Sequence, residues 1–161
     1  MIRHAEDKDL NTIMNIYETA RKYMQDNGNP TQWGASHPSR ELLECDIKEQ
    51  NLYICTENEI IHGVFAFIIG EDPTYLKIEK GAWINGQPYG TIHRIAADGI
   101  VKGIFSQSVT YCKKQIDNLR IDTHLDNHTM QYLIKKNGFE ECGIIYTEDG
   151  SPRIAYQYVK N

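Results

Sequence analysis

The sequence predicts an α+β fold: one central mixed sheet, mostly antiparallel, flanked by helices. Three observations carry this. Two N-terminal segments place apolar residues at helical spacing. Residues 52–69 are dense in β-branched and aromatic residues around a tight turn. From Thr91 onward a strand, a glycine turn, a helix and a second strand follow one another directly, the order of a parallel pair with its crossover helix.

Each element has a local reason. Ile2 to Ala5 is a short opening strand, and Asp9 is placed to cap the next helix. There Leu10, Ile13, Met14, Tyr17, Ala20 and Met24 form one face. Asn27-Gly-Asn-Pro30 stops it, because glycine permits a left-handed end and proline cannot continue the ladder. Beyond the loop 31–37, Pro38 suits the first turn of a second helix carrying Leu42, Leu43 and Ile47. Leu52 to Thr56 and Ile60 to Ile69 are strands joined around Glu57-Asn58-Glu59. Tyr75 to Ile84 reads as another strand, broken by Gly81, ahead of the turn Asn85-Gly86-Gln-Pro88.

The central unit comes next: strand Thr91–Ala97, turn Asp98–Gly103, a helix from Ile104 to about Asp117, and strand Leu119–His124. A short helix lies between Asn127 and Asn137-Gly138-Phe139. The last two strands, Glu141 to Thr147 and Arg153 to Val159, form a hairpin or a pair parted by another strand. No repeat or linker interrupts the chain, so residues 1–161 are expected to form one domain.

Composition bounds the function. A net charge of −5 argues against a general electrostatic nucleic-acid binder. No apolar run approaches the roughly 20 residues that span a bilayer, and the N-terminus lacks a signal-peptide core. Cys45, Cys55, Cys112 and Cys142 stand singly in apolar patterns, as reduced thiols of a cytoplasmic protein do, and no metal is expected.

A glycine turn that opens a helix directly after a strand offers backbone N–H groups and a positive dipole end to phosphate. In the helix after Gly103, Phe105, Val109, Cys112 and Ile116 form the packing stripe, which leaves the helix start to face a ligand. Neither GxGxxG nor the Walker pattern is present. The bland alternative is a tight turn with no ligand.

The chain resembles the GNAT superfamily (GCN5-related N-acetyltransferases) over nearly its full length. Asp98-Gly-Ile-Val-Lys-Gly-Ile-Phe-Ser106 is similar to that family's pyrophosphate loop. Arg120-Ile-Asp-Thr-His124, Asp126-Asn127 and Lys136-Asn-Gly-Phe139 are similar to its later strand, asparagine and Gly-Phe. The resemblance implies acetyl-CoA as co-substrate, with the backbone N–H groups of Lys102, Gly103, Ile104, Phe105 and Ser106 around the pyrophosphate. It also implies Ile95-Ala96 pairing with the pantetheine arm and Asn127 approaching it. Two positions depart from the pattern. Ile100 and Phe105 replace the usual outer loop residues, so Phe105 must point into the core. Ile134 stands seven residues after Asn127, where many members carry a general-acid tyrosine. Tyr132 is about 200° around the helix from it and is no default substitute.

Amine acetylation needs a base with a pKa near the working pH. Glu79, His93 and His124 are the candidates, at strand ends expected near the thioester. Arg120, Asp122 and His124 alternate onto one strand face. A purely structural account pairs Asp122 with Arg94 or Arg120. Trp33, Tyr75, Trp83 and Tyr89 are candidate linings of an acceptor pocket, core packing being the alternative for each. The expected activity is acetyl transfer from acetyl-CoA to a small-molecule or peptide amine. A non-catalytic acyl-CoA-binding or sensing domain is the alternative. The expected partner is the amine acceptor, with no nucleic acid and no membrane, and a homodimer is left open.

Overall fold

α1 spans Leu10–Asp26 and buries Leu10, Ile13, Ile16 and Tyr17. The expected cap differs: the Asp9 carboxylate does not cap α1 but accepts from the Glu6 N–H at 2.9 Å and from the Arg3 guanidinium. The reason is that Asp7–Asp9 is itself a 3₁₀ turn, which places Asp9 in helical backbone. α2 is Arg40–Lys48, and its cap is Ser39, whose Oγ accepts from Leu42 N–H at 3.2 Å. Pro38 therefore lies before the helix and not in its first turn. The computed structural model describes all of residues 1–161.

The strands are β1 (Ile2–His4), β2 (Leu52–Glu57), β3 (Ile60–Ile69), β4 (Gly90–Ala97), β5 (Asn118–His124), β6 (Glu140–Tyr146) and β7 (Pro152–Val159). α3 is Ile104–Lys113 and α4 is His128–Lys136. The seven strands form one mixed sheet in the order β1-β2-β3-β4-β5-β7-β6. β4 and β5 are parallel, paired at Gly90↔Leu119 and Thr91↔Arg120. β1–β2, β2–β3, β5–β7 and β6–β7 are antiparallel. Direct pairing of β6 with β7 resolves the open alternative in favour of the hairpin. No helix is long and apolar enough to cross a membrane.

The chain divides into two compact units. The first is Met1–Phe67 with His93–Ser108. Its core holds Ile13, Tyr17, Leu43, Leu52, Ile54, Val64 and Ala96, with Trp33 packed at the margin. The β2–β3 turn is set by Asn58 and Glu59, at φ 51° and 66°, the left-handed pair that a two-residue hairpin loop requires.

The second unit is Ile68–Ile92 with Val109–Asn161. Here the expected strand over 75–84 is absent. Pro73–Tyr75 forms a 3₁₀ turn capped by the Asp72 carboxylate, and Lys80 sits at φ 58°. What remains of a strand is a bridge between Glu79 and Ile144, with Ala82 N–H donating to Cys142 C=O at 2.9 Å. α3 is also shorter than expected. Lys114 N–H bonds to Tyr111 C=O, a tightened last turn that ends the helix ahead of β5.

Gly81 makes the approach of segment 79–82 to β6 feasible. A Cβ there would lie 1.9 Å from the Cys142 carbonyl oxygen. Gly81→Ala is therefore expected to lose about 3 kcal/mol, the upper end for overpacking, and roughly 10 °C in Tm. Gly86→Ala, with nothing within 4 Å of the added carbon, should melt like the wild type. Thermal unfolding followed by circular dichroism checks both.

Candidate functional site

The first unit holds the strand–turn–helix feature. The ladder of α3 begins with Gln107 N–H donating to Gly103 C=O at 2.9 Å, so the N–H groups of Ile104, Phe105 and Ser106 precede it. Ile104 and Phe105 are buried, at 6% and 7% exposure, so both side chains turn inward, away from the exposed turn at Lys102 and Gly103. That inward Phe105 is the condition set by its departure from the family loop. Gly99 and Gly103 adopt φ 80° and 81°, and a Cβ built at either meets nothing within 4 Å. The turn therefore has open space beside both glycines. Under the helix start, Gly63 of β3 matters by its missing side chain: a Cβ there would sit 2.4 Å from Ile104 Cγ2.

A buried histidine fixes the root of the turn. His62 Nδ1 and Asp98 Oδ2 are hydrogen-bonded at 2.7 Å, and Asp98 N–H donates to His62 C=O at 3.0 Å. The other carboxylate oxygen accepts from Ile100 N–H at 2.9 Å. Asp98 thus ties the chain leaving β4 to β3 and starts the turn at once.

β4 itself is distorted. Arg94 lies at φ 51°, a conformation that costs a non-glycine residue about 1–3 kcal/mol. Two contacts hold it. Its carbonyl accepts from Tyr17 Oη at 2.7 Å, and its Nη2 donates to Asp46 Oδ2 at 2.7 Å. Asp46 and Tyr17 are both buried, which raises the cost of leaving either partner unmatched. Ile95 and Ala96 follow immediately. His93 precedes Arg94 and is half-buried. Trp33 packs edge-on against Tyr17 with ring centroids 5.6 Å apart.

The second unit holds the remaining candidates. Asp122 accepts from Tyr75 Oη at 2.6 Å and lies 3.9 Å from Arg153 Nη1. The expected pairing with Arg94 or Arg120 is replaced. Arg120 is stacked between Trp83 and Tyr89, 4.0 and 3.9 Å from their ring centroids, and donates to Asn85 C=O. Tyr75 and Tyr89 are buried at 1% and 7%, and Trp83 Nε1 donates to Tyr75 C=O. These three aromatics form a core around a guanidinium, the alternative that sequence alone left open.

His124 Nδ1 accepts from Asp126 N–H at 3.0 Å. In that arrangement the neutral imidazole carries its proton on Nε2, which therefore has no lone pair for a second proton. Glu79 is on the surface, and the Lys77 ammonium, then the Tyr146 hydroxyl, hold its carboxyl below the usual range. Asn127 is the buried N-cap of α4, its Oδ1 accepting from Met130 N–H at 3.0 Å. Ile134 is fully buried, whereas Tyr132 is 64% exposed beside Lys136.

Sequence reasoning missed Tyr17, Asp46, His62, Asp98 and Arg94 as site-shaping groups. Tyr17 stood on an apolar helix face, and nothing local marks its hydroxyl as bonded to a residue 77 positions away.

This architecture is that of GNAT-family acetyltransferases, and the likeness supports membership of the GNAT superfamily. It is similar to a GNAT-family acetyltransferase from Streptococcus agalactiae 2603, at 28% identity and TM-score 0.91, covering 100% of this chain and 95% of that one. A GNAT-family acetyltransferase from Listeria monocytogenes 4b F2365 shares the fold at 17% identity and TM-score 0.72, covering 99% and 94%. The NatC complex bound to Gag peptide and CoA does so at 12% and 0.61, covering 100% and 98%. No protein-family model matches the sequence, and no curated protein sequence does.

Burial holds the Tyr17 hydroxyl, and burial with the Asp122 charge holds that of Tyr75, well above the ordinary tyrosine range. Above pH 10 the unfolded chain loses these two protons and the folded chain keeps them. Stability is therefore complete below pH 10 and falls as pH rises, by about 1.4 kcal/mol per unit for each tyrosine. Urea melts at pH 9 and pH 11 measure this, and Tyr17→Phe should lessen the fall.

Proposed function

We propose that the chain is an acetyl-CoA-dependent N-acetyltransferase acting by direct transfer on the amine of a small molecule or a peptide. The start of α3 carries this reading. Three N–H groups lie ahead of the ladder, at a turn whose two left-handed glycines leave space, on a helix whose first two side chains point inward. That donor set suits a pyrophosphate. Lys102, Gly103, Ile104, Phe105 and Ser106 supply the backbone donors, Ser106 adds a hydroxyl, and the Ile95–Ala96 edge of β4 receives the pantetheine arm.

Acetyl-CoA supplies a thioester, whose C–S bond is exchanged for a C–N bond as the amine's proton passes to a base and the thiolate takes one up. Of the candidate bases we assign His93, which adjoins the Ile95–Ala96 edge in sequence. His124 has its Nδ1 lone pair engaged by the Asp126 N–H, and the Lys77 ammonium holds the Glu79 carboxyl below its usual value. The Ala96 N–H is the group to polarise the carbonyl. A net charge of −5 favours a cationic acceptor by general attraction. Free thiols at all four cysteines fit a cytoplasmic location.

A second reading, an acyl-CoA-binding domain without turnover, is favoured by the buried Ile134, which provides no proton for a leaving thiolate. Release of free CoA against a panel of amines separates the two. Turnover on any amine supports the transferase, and binding without turnover supports the sensor.

Two variants test the site. Gly103→Glu sets a carboxylate at the phosphate position, strains a left-handed residue, and should abolish CoA binding by calorimetry; unchanged affinity places the site elsewhere. His93→Ala should lower kcat by about 100-fold and remove the rising limb of the pH profile. An unaltered profile assigns the proton to water.

A further inference from the structure

The left-handed residue in the middle of β4 is unexplained by the fold alone, since a strand gains nothing from it. It is nevertheless held from two sides, at its carbonyl by Tyr17 and at its guanidinium by Asp46. The Arg94 Nε is buried without a partner, a further cost accepted at the same residue. Strain retained by surrounding contacts marks a place where backbone direction matters. The residues whose direction changes are the next two, Ile95 and Ala96.

We propose that Tyr17, Asp46 and Arg94 are positioning residues for acyl-donor binding: together they hold the kink that aims the Ile95–Ala96 backbone at the pantetheine arm. This rests on the acetyl-CoA reading given above. None of the three touches the donor. Tyr17 acts through the Arg94 carbonyl, and Asp46 acts through the Arg94 side chain. Trp33, in the loop between α1 and α2, packs edge-on against the Tyr17 ring.

The decisive comparison keeps the charge balance fixed and varies only the backbone. In an Asp46→Asn background, Arg94→Gly and Arg94→Val both lose the ion pair. Glycine holds φ near 50° without strain, whereas a β-branched residue does not. The glycine variant should bind CoA within about 3-fold of wild type by calorimetry, and the valine variant at least 10-fold more weakly. Tyr17→Phe, which retains the ring, should raise the KM for acetyl-CoA at least 10-fold with the far-UV spectrum unchanged. Equal affinities for the glycine and valine variants overturn the proposal. NMR backbone shifts at Ile95 and Ala96 give a readout that needs no ligand. They should match wild type in the glycine variant and move toward regular strand values in Tyr17→Phe. Wild-type failure to bind CoA would overturn the acetyl-CoA reading. Shifts that stay put in Tyr17→Phe would overturn the clamp.

Discussion

A tyrosine hydroxyl on the carbonyl of a left-handed arginine, 2.7 Å away, is the constraint on which the first unit's organisation depends. It ties the inner face of α1 to β4 and fixes where β4 turns. Four residues after Arg94 the chain reaches Asp98, which binds His62 and opens the glycine turn. The turn delivers α3 with its first N–H groups off the ladder and its first side chains buried. Strand, turn and helix thus form one continuous device, anchored by two partly buried polar pairs, Arg94–Asp46 and His62–Asp98. Either pair broken on one side leaves a charge or a donor in a place that water reaches poorly.

The second unit uses its polar groups differently. The Arg120 guanidinium lies between two aromatic rings, Asp122 takes the Tyr75 hydroxyl, and Asn127 caps α4. Charged groups expected to serve chemistry are largely engaged in holding the sheet and its neighbours together. At His124 the Nδ1 lone pair accepts from the Asp126 N–H, and at Glu79 the Lys77 ammonium holds the carboxyl below its usual value.

Much of the fold was legible in the sequence because its signals are local. The Asn58-Glu59 turn, the stop at Asn27-Gly28 and the Gly138 end of α4 each follow from one or two residues. The strand expected over 75–84 failed for a non-local reason: the segment bonds to the edge of β6, with a register set by two glycines, Gly81 and Gly143, that permit close backbone approach. The cap assigned to Asp9 failed because a 3₁₀ turn precedes α1. At the site, the turn around Gly103 was legible from glycine spacing and from the order of elements. The Tyr17–Arg94 and His62–Asp98 contacts span 77 and 36 positions, and no periodicity or motif announces such pairs.

The backbone from Ile95 through Ser106 is the acyl-CoA site we propose. A titration of the uniformly nitrogen-15-labelled protein with CoA, followed by amide NMR, tests it most directly. Saturable shifts are expected at Ile95 and Ala96 and from Lys102 to Ser106, the largest at the start of α3. Shifts confined to other residues, or a spectrum unmoved by CoA at millimolar concentration, would contradict it.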